Sequence, residues 1–239
     1  MGRGSTPPAT TLKTMHTATL PRSTLHAPAQ AGRFLGWGLF VAALAFFNPH
    51  LWGGSVTEEW TFLPHQFFQG AWWRLLTHPF VHVSWYHLVL DASAFVLLYT
   101  RLEAHRACTR LVAVFICMLG SVTLPLVSTD AVSALGLCGL SGTAHGLMTI
   151  VCLDLVCSKA RLERVVGSVN LALLVLKSGY EYYCGTVLFA WLHLGPIGTP
   201  IAACHAGGVL AGILAWLVFR LVRPLKGQPE HEAERCGCR

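Results

Sequence analysis

Residues 109–128 read TRLVAVFICMLGSVTLPLVS, an apolar run whose one charge, Arg110, sits at its edge. A helix that crosses a bilayer needs about 20 mainly apolar residues, so a run of this length predicts a transmembrane span. Five further windows of the same kind flank it, at about 34–52, 85–101, 137–157, 165–184 and 200–222. Over its 239 residues the chain is 54% hydrophobic and only 12% charged, with a mean hydropathy of +0.54, against roughly 25% charged residues in soluble domains. The sequence therefore predicts an all-α polytopic membrane protein, a bundle of six transmembrane helices. The first window begins too late and runs too long for a cleaved secretory signal, and reads as a retained span.

Charge gives an independent test, because loops rich in Lys and Arg stay on the cytoplasmic side. Arg3, Lys13, Arg22 and Arg33 precede the first window, and Arg101, Arg106 and Arg110 lie between the second and third. Lys159, Arg161 and Arg164 lie between the fourth and fifth, and Arg220, Arg223, Lys226, Arg235 and Arg239 close the chain. Of the 17 basic residues only Arg74 and Lys177 fall elsewhere. This alternation predicts six spans with both termini cytoplasmic. The net charge of +6 then follows from topology and gives no reason to invoke nucleic acid.

Three regions are expected. Residues 1–31 are rich in Thr, Pro and Ala and carry no acidic residue, which predicts a disordered cytoplasmic extension, with an organelle transit peptide as the second reading. Residues 32–223 form the membrane domain, and 224–239 a disordered cytoplasmic tail. The longest external loop, 53–84, contains Trp60, Trp72 and Trp73, and Trp85 follows it; tryptophans favour the membrane interface, so this loop is expected to lie partly among headgroups. The nine cysteines show no metal-ligand spacing and mostly read as small packing residues. Cys236 and Cys238 near the basic C-terminus are candidates for lipidation, although a tail without function is the simpler reading.

An ionisable group inside a span is a functional-site hypothesis by default, since placing Asp, Lys or Arg there costs roughly 2.5–3.5 kcal/mol. Four places qualify: His87 with Asp91, Ser141 with His145, Lys177 with Glu181, and His205. Serine becomes a nucleophile only with a base within about 2.6–3.2 Å. Residues 138–146, CGLSGTAHG, and 203–212, ACHAGGVLAG, each carry a small-xxx-small pair that lets membrane helices approach closely. Those pairs are Gly142 with Gly146 and Gly208 with Gly212. At about 100° per residue His205 shares a face with Gly208 and Gly212, and Ser141 adjoins the glycine stripe of its own helix. Packing alone explains such small residues in membrane helices more often than catalysis does; what changes the balance is a third segment.

That segment is WWRLLTHPFVHVSWYHLVLD, residues 72–91. With it the chain resembles the rhomboid family of intramembrane serine proteases, over about residues 34–222. The family carries Trp-Arg in the first external loop, a histidine-rich approach to the second span ending in HxxxN, GxSG opening the fourth span, and AHxxGxxxG in the sixth. Here these are Trp73-Arg74; His78, His82 and His87; Gly139-Leu140-Ser141-Gly142; and His205 with Gly208 and Gly212. The resemblance implies that Ser141 attacks the scissile carbonyl. It gives His205 the role of general base and then acid, in a dyad lacking a third carboxylate. His87, beside the backbone N–H of Ser141 and supported by Gly139, would hold the oxyanion. Residues 74–84 would form an interfacial loop, and a lateral opening would lie near the fifth span. No metal and no organic cofactor is expected, and the partners are membrane-anchored protein substrates within the bilayer.

Two departures stand out. Asp91 replaces the Asn of HxxxN, and a carboxylate cannot donate a hydrogen bond unless protonated; either burial keeps it protonated, or it pairs with a histidine and leaves the oxyanion to His87. His145 replaces a tyrosine that packs on the catalytic histidine in many rhomboids; it can do the same packing, or compete as base, although a serine and histidine on one helix rarely align. A histidine within GLSGxxHGL is similar to the rhombosortase branch of bacterial rhomboid relatives, which implies substrates with a C-terminal sorting helix and a place in a bacterial inner membrane. Ordinary single-span substrates are the alternative. Lys177 and Glu181 at i,i+4 read as an intramembrane ion pair, or as a gate or substrate contact. Two other classes remain: a non-catalytic rhomboid relative that binds membrane clients, which Asp91 keeps open, and a small transporter, for which no broken helix or inverted repeat is evident.

Overall fold

A computed structural model describes Met1 and residues 27–53, 58–102, 105–188, 190–192 and 194–222. The lipidation sites Cys236 and Cys238, the tail 224–239 and residues 2–26 of the expected N-terminal extension lie outside the described residues. The chain divides into two compact units, Met1–Val41 and Ala42–Arg239, and the candidate site lies wholly within the second. The described residues are helical with turns and loops between, apart from one isolated antiparallel bridge, Phe62 with Leu137.

In chain order the helices are α1 (Ala27–Phe47), α2 (Pro64–Phe68), α3 (Arg74–Thr77), α4 (Trp85–Arg101), α5 (Ala107–Ser128), α6 (Ala131–Leu135), α7 (Ser141–Val156), α8 (Arg161–Cys184) and α9 (Ala203–Val222). Each apolar window of the sequence falls on one of the long helices, and α1 starts at Ala27, inside the segment expected to lack structure. Length and apolarity single out fewer spans than six. Among the described residues α5 and α9 are long and apolar enough to cross a bilayer, and α4 adds a third if counted with Arg74–Phe80, which meets it at a 101° bend. Ser141–Val156 and Phe34–Phe47 are apolar but shorter. α8 has 24 residues, yet Ser168, Asn170, Lys177 and Glu181 dilute it. Polar groups gathered for a site weaken the signal by which a span is recognised. Around the second unit large apolar side chains such as Val89, Leu97, Leu111, Phe115, Leu173, Leu176, Leu210 and Leu214 face outward, as lipid exposure requires.

α7 packs against α4, α5, α8 and α9, and residues on every side of it are buried. Its contact with α9 is made of glycine. A Cβ on Gly208 would run into the carbonyl of Gly142, and one on Gly212 into the carbonyl of Gly146. The same device joins α9 to α5, where Gly207 meets the carbonyl of Gly120. With little hydrophobic force between helices in lipid, close backbone approach supplies the packing, and here it brings the start of α7 beside the start of α9.

Residues 58–84 fold back onto that junction. Buried Phe62 and Leu137 exchange backbone hydrogen bonds of 3.0 and 2.9 Å. Arg74 is buried and donates to the Thr61 carbonyl at 2.7 Å, and Thr77 donates to that of Trp60 at 2.9 Å. Asn48 is wholly buried: its amide donates to the carbonyls of Leu44 (2.7 Å) and Phe80 (2.6 Å) and its oxygen accepts from His82 N (2.7 Å). Trp72, Trp73 and Trp85 are exposed, as residues at a membrane interface would be.

Candidate active site

Ser141 is the first residue of α7, entered through a turn in which Gly139 has φ +95°. That conformation favours glycine, and space demands it too: a Cβ there would lie 2.8 Å from Asp91 Oδ2 and 2.9 Å from His87 Nε2. The turn is held from outside by Gly139 N donating to the His78 carbonyl at 3.0 Å. Buried His78 in turn donates from Nδ1 to the Leu75 carbonyl at 2.9 Å.

Across the α7–α9 crossing, Ser141 Oγ lies 3.2 Å from His205 Nε2. The other ring nitrogen of His205, Nδ1, lies 2.7 Å from Glu181 Oε2. The arrangement therefore differs from a bare dyad: a carboxylate stands on the far side of the imidazole. Glu181 is fully buried, which removes it from any surface a substrate could touch. Lys177, one turn earlier on α8, donates to both its oxygens, at 2.8 and 2.9 Å, and the Leu188 N–H donates to Oε1 at 2.9 Å.

His145 stacks face to face on His205, ring centroids 4.0 Å apart and planes 8° from parallel. Its Nδ1 lies 2.8 Å from the Ser141 carbonyl, to which it can only donate, and its Nε2 lies 3.1 Å from Lys177 Nζ, from which it accepts. Both nitrogens are thereby engaged away from Ser141 Oγ, so His145 packs on His205 and does not face the serine as a base. His145, Glu181 and His205 each place a potential metal-ligand atom within 4.8 Å of the others. The Lys177 ammonium already bonds two of the three, so a cation would have to displace it.

On the opposite side of Ser141 stands Asp91 of α4, also buried. Its Oδ2 accepts from Leu140 N at 2.8 Å and from Ser141 N at 3.0 Å. His87 Nε2 approaches the same atom to 3.3 Å and His82 Nε2 to 3.6 Å. His87 Nδ1 accepts from Val83 N at 3.4 Å, which places the ring proton on Nε2, facing Asp91. Ser84 fixes this end of α4: its hydroxyl accepts from His87 N at 3.0 Å and donates to the Pro196 carbonyl.

A cavity of about 630 Å³ opens beside Ser141 and His205, with Leu90 of α4 and Leu188, Ile197 and Ile201 of the segment before α9 among its apolar walls. Lys177 also lines it. Cys204, next to His205, brings its Sγ to 3.9 Å from Ser141 Oγ.

Residues 69–222 match the family described as Rhomboid domain, well over half of the chain. The protein belongs to the rhomboid family. Comparison with curated proteins and with solved structures finds no match. Rhomboids are in general intramembrane serine proteases that act on membrane-embedded proteins, and this rhomboid chain is an integral membrane protein. Its turn at Gly139, its glycine crossing and its histidine-rich loop all fall inside the matched segment. Among the contacts of the site, sequence reasoning missed Leu140 N, Leu188 N and Cys204. Backbone donors carry no side-chain signature, while Cys204 was legible only as the neighbour of His205.

Proposed function

We propose that this rhomboid is an intramembrane serine endopeptidase, and the observation that carries the reading is the 3.2 Å approach of His205 Nε2 to Ser141 Oγ beside an apolar cavity. Ser141 Oγ attacks the scissile carbonyl while His205 Nε2 takes its proton. The C–N bond then breaks, the proton passes from His205 to the leaving amine, and a water activated by the same imidazole releases the acyl group. The oxyanion belongs where the N–H groups of Leu140 and Ser141 and His87 Nε2 converge, the place held by Asp91 Oδ2. Each such donor is worth about 2.7–4 kcal/mol in the transition state. Asp91 must yield that place to the substrate carbonyl.

The substrate is a membrane-anchored protein. An apolar cavity at the start of α7 suits an unwound stretch at the end of a helical anchor. His145, packed on His205 and tied to Ser141, favours the rhombosortase-like reading, cleavage at a C-terminal sorting helix; the alternative is a general rhomboid protease on single-span proteins. In this reading the long helices make six spans of a bacterial inner membrane with both termini cytoplasmic. A second reading, a non-catalytic rhomboid that binds membrane clients, is favoured by the carboxylate in the oxyanion position.

A fluorophosphonate probe on the purified full-length protein separates the two. Covalent labelling that disappears in Ser141→Ala and His205→Ala supports the protease. Labelling that survives in Ser141→Ala, or that occurs neither in the wild type nor in Asp91→Asn, rules it out.

A further inference from the structure

We propose that Glu181 and Lys177 are positioning residues for His205, turning the serine–histidine pair into a Ser141–His205–Glu181 chain; the proposal rests on the protease reading above. A general base must present a lone pair to the hydroxyl, so the imidazole needs its proton on the other nitrogen. Glu181 can only accept, so its 2.7 Å contact requires the proton on Nδ1 and leaves Nε2 bare toward Ser141. When His205 takes the serine proton, the resulting imidazolium faces a carboxylate across that contact.

A buried carboxylate is tolerable only when paired and fully hydrogen-bonded. Glu181 meets this condition through His205, through Lys177 on both oxygens and through Leu188 N. Lys177 reaches onward to His145 Nε2, and His145 returns through Nδ1 to the Ser141 carbonyl. The circuit begins at the Ser141 side chain, crosses α9 and α8, and ends at the Ser141 main chain. An ion pair serving only to steady α8 needs neither the bond to His205 nor the stack of His145 on it.

The test is the inactivation kinetics of the full-length protein with a fluorophosphonate, resolved into binding (KI) and chemistry (kinact). Glu181→Gln is expected to lower kinact by about 100-fold or more with KI changed less than about threefold, and Glu181→Asp to label faster than Glu181→Gln. A kinact for Glu181→Gln within about threefold of wild type, or a loss confined to KI, overturns the proposal. Should Glu181→Gln not fold, the wild-type protein decides: a low-field Nδ1–H proton resonance that vanishes in His205→Gln supports it, and its absence overturns it. Labelling that persists in Ser141→Ala defeats the protease reading itself, a result distinct from labelling that needs Ser141 and ignores Glu181.

The other side of Ser141 carries a second inference independently. The geometry points to Asp91 as a built-in occupant that holds the oxyanion position shut. Three N–H groups from two segments converge on its single oxygen Oδ2, so a negatively charged oxygen sits where the tetrahedral oxyanion would form. A substrate carbonyl enters only by displacing it, and Asp91 lines the cavity from which the carbonyl arrives. Asp91→Asn removes the charge at nearly constant shape, and is expected to raise the fluorophosphonate kinact/KI about 10-fold or more. If Asp91 serves only to hold the turn before α7, the substitution lowers both thermal stability and labelling. Labelling equal to or slower than wild type overturns the proposal; Asp91→Ser, which also leaves the position uncharged, gives the same decision should Asp91→Asn not fold.

Discussion

Two buried carboxylates flank one serine, and they differ in what they take. Glu181 receives the proton-bearing nitrogen of His205 that faces away from Ser141, and the Lys177 ammonium balances its charge. Asp91 receives the N–H groups of Leu140 and Ser141, the donors that a reacting carbonyl would need. In the proposed reaction the carboxylate on the base side would stabilise a positive charge that grows on His205, and the one on the oxyanion side would stand where a negative charge must grow. The same functional group, buried on both sides of the serine, would therefore help or hinder according to which donors it occupies.

The sharpest way to break this comparison is to remove the centre. Ser141→Ala is expected to abolish fluorophosphonate labelling altogether, and His205→Ala to reduce it by about 1,000-fold or more, read as labelling intensity against time. Next come the two neutralising substitutions, which are expected to have opposite signs: a fall of about 100-fold for Glu181→Gln and a rise of about 10-fold for Asp91→Asn. The double variant sharpens the point. Because the two carboxylates act on different atoms, their effects should multiply to a net fall of about 10-fold, as independent sites do; strong departure from that product would mean that one network runs through both.

The smallest effect should come from the scaffold shared by both sides. Gly208→Ala pushes a methyl into the carbonyl of Gly142 and should cost about 1–3 kcal/mol of stability, seen as a lower melting temperature in detergent. Since it spreads α7 from α9, Glu181→Gln and Asp91→Asn should keep their opposite signs in that background, both on slower labelling.

Much of this was legible along the chain. The apolar windows coincide with long helices, and the glycine pairs of 142/146 and 208/212 meet as their spacing suggested. Ser141 and His205, 64 residues apart, lie within hydrogen-bond reach. Lys177 and Glu181 were readable as a pair because i,i+4 neighbours touch on any helix. The bond from Glu181 to His205 was not, since it depends on how α8 is rotated and placed against α9. The fate of Asp91 was half readable: its neighbour His87 lies one turn away on α4, but the amides that hold it come from residues 49 and 50 positions later.

Sequence by itself determined a helical membrane protein of the rhomboid family, because hydropathy, small-residue spacing and short motifs are properties of neighbouring positions. Tertiary structure alone decided which side of Ser141 each carboxylate occupies. That choice is made by the tilt and rotation of three helices about a glycine crossing, and hydrogen bonds of 2.7–3.0 Å respond to shifts far smaller than any pattern in the chain can specify.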